Sequence, residues 1–165
     1  MLNSGKYDSE WAATTCVSAK KPFVCKRHST CKFVYHSDKV NRTEAQSRCE
    51  ADGMWLATLD CEKDVIAARK LIAEKRLEEL NPCWETQTWI GLKGTYLGFF
   101  QARWNWVEDG SEADFTNWWQ GNAVEPAEPS LFGPNFGLEM CVEMSLEGTW
   151  NDQLCECVPG PTTYY

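Results

Sequence analysis

The residues best suited to chemistry lie between Glu139 and Cys155. Glu139 and Asp152 offer carboxylates, Asn151 offers a carboxamide, and Cys141 and Cys155 could close a short loop beside them. Oxygen ligands of this kind suit a hard cation such as Ca²⁺, which takes about six to eight of them. Trp150 directly precedes Asn151 and is suited to anchor a strand in a core, so that the polar pair projects from a fixed base. Glu139 and Asp152 also invite comparison with the paired acids of a glycosidase. The neighbouring Asn and the cysteine clamp fit a metal better. The chain has no nucleophile–base pair, phosphate loop or zinc pattern, and the expectation is that it is not an enzyme.

The elements that must position these residues have to come from 165 residues, enough for one good core and too few for two ordinary domains. Nine Trp, seven Phe and five Tyr argue for a packed globular fold. The net charge of −8 argues against nucleic acid and anionic membranes as partners and is compatible with cation binding. Nine cysteines in a chain of this size suggest disulfides formed in an oxidising compartment. Zinc is the weaker reading, because the near pair Cys155-x-Cys157 has no matching pair and His28 and His36 are isolated. No stretch approaches the ~20 apolar residues of a membrane span. Met1 is followed by polar residues and not by a secretory leader. Disulfide-type composition without a leader implies a fragment, or a chain read from the wrong start.

Along the chain, Pro22–Cys25 and Cys31–Tyr35 read as strands, with Lys26–Thr30 as the turn between them. Asn41-Arg42-Thr43 is an acceptor pattern for N-glycosylation and also opens a helix from Thr43 to about Ala51, ended by Asp52-Gly53. Ala45, Cys49 and Arg48 fall near one face of that helix. Met54–Leu59 reads as a short buried run. A second helix spans Glu62 to Leu80, with Val65, Ile66, Ala68, Leu71, Ile72, Leu77 and Leu80 on its apolar side and a charged, solvated opposite face. Asn81-Pro82 stops it. Thr88–Leu92 is a buried strand, Lys93–Gly98 a turn, and Phe99–Val107 a strand with Trp104 and Trp106 on one face. Glu108–Ser111 is a turn. Phe115–Asn135 is a long loop anchored by Trp118 and Trp119, of the kind that is usually functional or disordered. Two strands close the pattern, around Cys141–Glu143 and Trp150. The expected class is α+β, with two helices segregated from small antiparallel sheets.

From Cys31 onward the order of these features resembles the C-type lectin-like domain. The resemblance rests on Cys31 and Cys49, Trp55-Leu56-Ala57-Thr58-Leu59, Trp89-Ile90-Gly91-Leu92, Trp104-Asn105-Trp106-Val107 with Asp109-Gly110-Ser111, Phe115-Thr116-Asn117-Trp118, Glu139-x-Cys141, and Trp150-Asn151-Asp152-x-x-Cys155. Most of these residues are structural: Trp89, Gly91, Leu92, Trp104, Trp106 and Trp118 belong to a core. The resemblance implies a Cys141–Cys155 loop disulfide that clamps the ligand-bearing strands.

It also implies a calcium-dependent carbohydrate site. In sugar-binding members a Glu-Pro-Asn or Gln-Pro-Asp triplet in the long loop, a Glu two before the loop Cys, and the Asn-Asp after Trp hold Ca²⁺. Carried onto this chain, the set is Glu128, Ser130, Glu139, Asn151 and Asp152, with Glu128-Pro129-Ser130 preferred over Glu125-Pro126-Ala127 because Ala127 has no side-chain oxygen. A cis peptide before Pro129 would aim the flanking oxygens at one point. Glu128, Ser130, Glu139 and Asn151 would also contact the sugar. Ser130 departs from the family's carboxamide: it is shorter and offers one donor instead of two. The Glu-Pro order resembles the mannose/glucose/fucose-type triplet more than the galactose type. The turn after Trp-Ile-Gly-Leu lacks acids, so no auxiliary calcium site is expected there. The implied partners are glycans or glycoproteins, and the implied location is extracellular. The alternative is a calcium-independent domain of this family that binds a protein or another surface.

The family's last strand ends in a Cys that bonds the helix Cys, and no such strand follows Cys155 here. Residues 1–28, with Trp11, Cys16 and Pro22–Cys25, resemble the tail of such a domain; residues 29–165 resemble the domain with its last strand truncated. One reading is a piece of a tandem protein. A second has Phe23-Val24-Cys25 filling the empty slot, with Cys25 bonded to Cys49. A third pairs Cys25 or Cys16 with Cys31. Cys61 and Cys83 flank the second helix, and a straight helix of roughly 30 Å between them would keep them apart.

Overall fold

The computed structural model describes residues 20–27, 32–78, 87–132 and 138–155. Trp11, Cys16, Cys31, the helix stop at Asn81-Pro82, Cys83 and Cys157 lie outside the described residues. The elements are β1 (Lys21–Lys26), β2 (Phe33–Val40), α1 (Arg42–Ala51), β3 (Trp55–Leu56), α2 (Glu62–Glu78), β4 (Thr88–Gly98), β5 (Gln101–Trp106), β6 (Cys141–Met144) and β7 (Trp150–Gln153).

The strands join in one seven-stranded sheet in the order β2-β1-β4-β6-β7, with β3 also on β1 and β5 also on β4. Where small antiparallel sheets were expected, the strands form one sheet that includes a parallel pairing. All pairings are antiparallel except β1 with β4, which meet in parallel at Phe23 and Trp89. The α+β class stands. Strand β1 is buried along its whole length, as expected of a strand with neighbours on both edges. Cys25 is bonded to Cys49, which fastens β1 to α1 and leaves Cys25 unavailable to Cys31.

Helix α1 is capped by Asn41, whose side-chain oxygen accepts the Glu44 N–H at 2.8 Å, an N-cap two residues earlier than Thr43. Its buried face is Arg42, Ala45 and Cys49; Arg48 lies on the surface and pairs with Asp38 and Glu44. Helix α2 buries Asp64, Val65, Ala68 and Ile72. Ile66 and Leu77, expected on the apolar side, are 55% and 89% exposed. The helix meets the body of the domain along a narrow stripe, so apolar residues off that stripe stay in solvent. Lys26 ties α2 to β1 through a buried pair with Asp64 at 2.8 Å and a bond to the Thr58 carbonyl at 3.0 Å.

The expected turn at Lys93–Gly98 is instead the second half of β4, and the reversal is made by Phe99 and Phe100. Gly94 sits opposite Trp104, where a Cβ would lie 2.8 Å from the indole; the glycine makes room for a ring. Gly91 answers the same need against backbone, since a Cβ there would run into the Leu56 carbonyl.

Trp150 is the hub of the core. It is fully buried, and Trp106, Phe115 and Trp118 meet it edge-on with centroids 5.8–5.9 Å away. This geometry suits the quadrupoles of aromatic rings. The long loop is fastened to the same residue: the Trp150 N–H donates to the Asn117 carbonyl at 2.8 Å and the Trp119 N–H donates to the Trp150 carbonyl at 3.0 Å.

Candidate functional site

The site is built where the long loop crosses the β6–β7 hairpin. Strand pairing places Val142 opposite Asp152 and Glu143 opposite Asn151, and Cys141–Cys155 closes the open end of the hairpin. From the loop side, the Glu128 N–H donates to the Trp119 carbonyl at 2.9 Å, which hangs the Glu128-Pro129-Ser130 triplet on an anchored tryptophan. The Glu128–Pro129 peptide is cis.

Ser130 is the meeting point. Its N–H lies 2.7 Å from a Glu128 carboxylate oxygen and 2.9 Å from Asp152 Oδ1, and its hydroxyl donates to Glu139 Oε2 at 3.2 Å. The Leu131 N–H donates to Asp152 Oδ2 at 2.6 Å, and the Glu139 N–H donates to the Leu131 carbonyl at 3.0 Å. Glu128, Ser130, Glu139 and Asp152 are therefore brought together. Asn151 lies on the same hairpin, with its amide N–H donated to Glu143 at 3.0 Å. It shares with Glu128 the wall of a cleft of about 710 Å³, which Trp119, Glu125 and Pro126 also line.

Glu139 is 7% exposed and Asp152 1%. Burial, reinforced by Asp152, pushes the Glu128 carboxyl up to about 7, against the pull of the Ser130 donors. Burial and the Asp152 charge likewise push Glu139 up to about 7. Three carboxylates crowded around one serine, with few donors to balance them, form a hard-oxygen set whose mutual repulsion a divalent cation would relieve. The residues present fit Ca²⁺ on those grounds. Asp152 already has a second duty, because both its oxygens hold backbone N–H groups of the loop.

Two features were not anticipated from the sequence. The first is Glu143, 2% exposed and ion-paired with Lys21 of β1 at 2.9 Å. Its only signal was a carboxylate inside an otherwise apolar strand. The second is an acidic cleft of about 620 Å³ beside Lys26, lined by Asp60, Asp64, Glu108, Asp109, Glu112 and Asp114 among others. There Asp60, Cys61 and Asp64 place one oxygen or sulfur atom each within 4.8 Å of one another. Its acids come from two distant stretches of chain that no local pattern joins. Cys61 is a free, exposed thiol.

No protein-family model matches the chain. It is 28% identical over 130 residues to the complement component C1q receptor of Rattus norvegicus, a match that takes in 74% of this chain and 19% of that protein. The chain thus spans less than a fifth of the length of this curated relative. Among solved structures it is similar to the C-type carbohydrate-recognition domain of cow CD23, solved in the presence of a GlcNAc2Man3 oligosaccharide. The TM-score is 0.51 at 24% identity, over 71% of this chain and 72% of that one. The mouse scavenger receptor C-type lectin carbohydrate-recognition domain gives 0.49 at 23% identity, over 71% and 75%. A calcium-independent type II antifreeze protein gives 0.46 at 16% identity, over 84% and 76%.

Proposed function

For a chain with the C-type lectin-like fold, we propose calcium-dependent glycan binding at the meeting of the long loop and the β6–β7 hairpin. The observation that carries this reading is the convergence of Glu128, Glu139 and Asp152 on Ser130. Glu128, Ser130, Glu139, Asn151 and Asp152 would hold the ion. When bound, Ca²⁺ supplies open coordination positions that two vicinal sugar hydroxyls can fill. The chain's own groups orient that sugar. Glu128 and Glu139 accept hydrogen bonds from its hydroxyls, and Asn151 has one amide N–H left to donate, since the other serves Glu143. Trp119 and Pro126 give the cleft an apolar wall for a sugar face. The Glu-Pro order favours mannose/glucose/fucose-type sugars. The role is binding and not catalysis, and the two disulfides support an extracellular setting. Among the described residues no helix is long and apolar enough to cross a membrane.

The test is retention on mannose- and galactose-bearing resin followed by EDTA. Elution from the mannose resin by EDTA is expected, with Glu139→Gln and Asn151→Ala each abolishing retention. Absence of retention, or retention that EDTA leaves intact, overturns the reading. A second reading is calcium-independent binding of a protein or other surface. It is favoured by Asp152, which closes the loop through the Ser130 and Leu131 N–H groups without help from an ion.

A further inference from the structure

We propose that Glu143 and Lys21 are positioning residues for Asn151, so that the N-terminal strand β1 forms part of the binding site. The inference rests on the calcium-dependent reading above. A carboxylate has no proton to give, so the amide group that faces Glu143 must be the NH₂ of Asn151. With Nδ2 committed to Glu143 at 3.0 Å, the carbonyl oxygen of Asn151 is the end left free for a cation. An uncommitted asparagine presents either end, and only one end is a metal ligand.

Glu143 can play this part only while it is held in place. It is 2% exposed, and a carboxylate at that depth needs a partner of opposite charge. Lys21 is that partner. Its ammonium lies 2.9 Å from Glu143 Oε2, with both side chains 3% exposed, and it sits 5.7 Å from the centroid of the Trp89 ring. Strand register brings the parts into line. Phe23 pairs with Trp89, Trp89 with Glu143, and Glu143 with Asn151, across four adjacent strands. Cys25–Cys49 secures β1, and with it Lys21, to the body of the domain.

Outer partners of this kind typically change metal affinity by about ten- to a hundredfold when removed. The experiment measures Ca²⁺ affinity by calorimetry for the wild type, Asn151→Ala, Glu143→Gln and the double variant Lys21→Met/Glu143→Leu. The double variant replaces a buried ion pair by apolar groups, which keeps the fold testable if the single variant is unstable. Melting temperature in EDTA is followed in parallel, together with the Asn151 side-chain amide resonance in the metal-free protein. The expected result is Ca²⁺ affinity roughly tenfold or more weaker in both Glu143 variants, with an unchanged EDTA melting temperature in at least one and a shifted Asn151 resonance in both. Wild-type affinity in the Glu143 variants, while Asn151→Ala loses binding, overturns this inference and leaves the calcium reading standing. No Ca²⁺ binding by the wild type overturns both.

Discussion

Glu128 and Glu139 sit where burial and a third carboxylate both oppose ionisation, and each carboxyl is raised from 4.5 to about 7. Between those values the folded chain holds more protons than the unfolded one, so these groups make the metal-free protein less stable as pH climbs through that window. In EDTA, melting should therefore come earlier at about pH 8 than at about pH 5.5, and Glu139→Gln should lose part of the difference. Added Ca²⁺ should raise the melting temperature most at the higher pH, where the carboxylates are ionised and ready to bind. Differential scanning fluorimetry over the pH range checks both; a calcium effect that grows toward low pH would contradict the assignment. Gly91 makes a second prediction at this scale. Because a Cβ would strike the Leu56 carbonyl, Gly91→Ala should cost about 1–3 kcal/mol in urea unfolding, as overpacked sites do.

The hairpin between β4 and β5 turns on Phe99 and Phe100, both at positive φ (50° and 59°) and both exposed, at 95% and 77%. Two-residue hairpin turns favour such angles, and Asn-Gly adopts them at far less cost than bulky residues. Phe99→Asn with Phe100→Gly should stabilise the domain by about 1–2 kcal/mol in the same assay. This turn also explains where sequence and structure parted. Gly94 and Gly98 look like turn residues, but Gly94 is small to admit Trp104, a reason visible only once the strands are paired. The aromatic core was legible because alternating rings at Trp104 and Trp106, and Trp150 before Asn151, mark strand faces directly. Glu139 and Asp152 of the candidate site were legible beside Cys141 and Trp150, whereas Glu128 came only from the family resemblance. Glu143 was not legible, since its role depends on Lys21, a residue from the other end of the chain. The buried side of α2 was overestimated for a related reason: helical periodicity names apolar candidates, while the breadth of the partner surface decides which of them are covered.

Among the described residues, two covalent links hold the domain closed, with different tasks. Cys141–Cys155 tightens the hairpin that carries the site, and Cys25–Cys49 binds the N-terminal strand to α1. A non-reduced digest should yield a peptide joining Cys25 to Cys49, and finding Cys25 joined to Cys31 would contradict the structure. Replacing Cys25 and Cys49 by Ser should cost about 2–5 kcal/mol. If β1 orients Asn151, the same change should weaken calcium binding as well, a coupling that Cys61→Ser should not produce.

Strand β1 enters the middle of the sheet, and its buried lysine waits for a glutamate that lies far along the chain. During synthesis this strand leaves the ribosome before β4, which pairs along its edge, and long before β6, which carries Glu143. Until β4 arrives Phe23 has no Trp89, and until β6 arrives Lys21 has no Glu143. This strand is therefore completed in two stages: β4 pairs its remaining edge, and its buried lysine gains a partner only when β6 has been made.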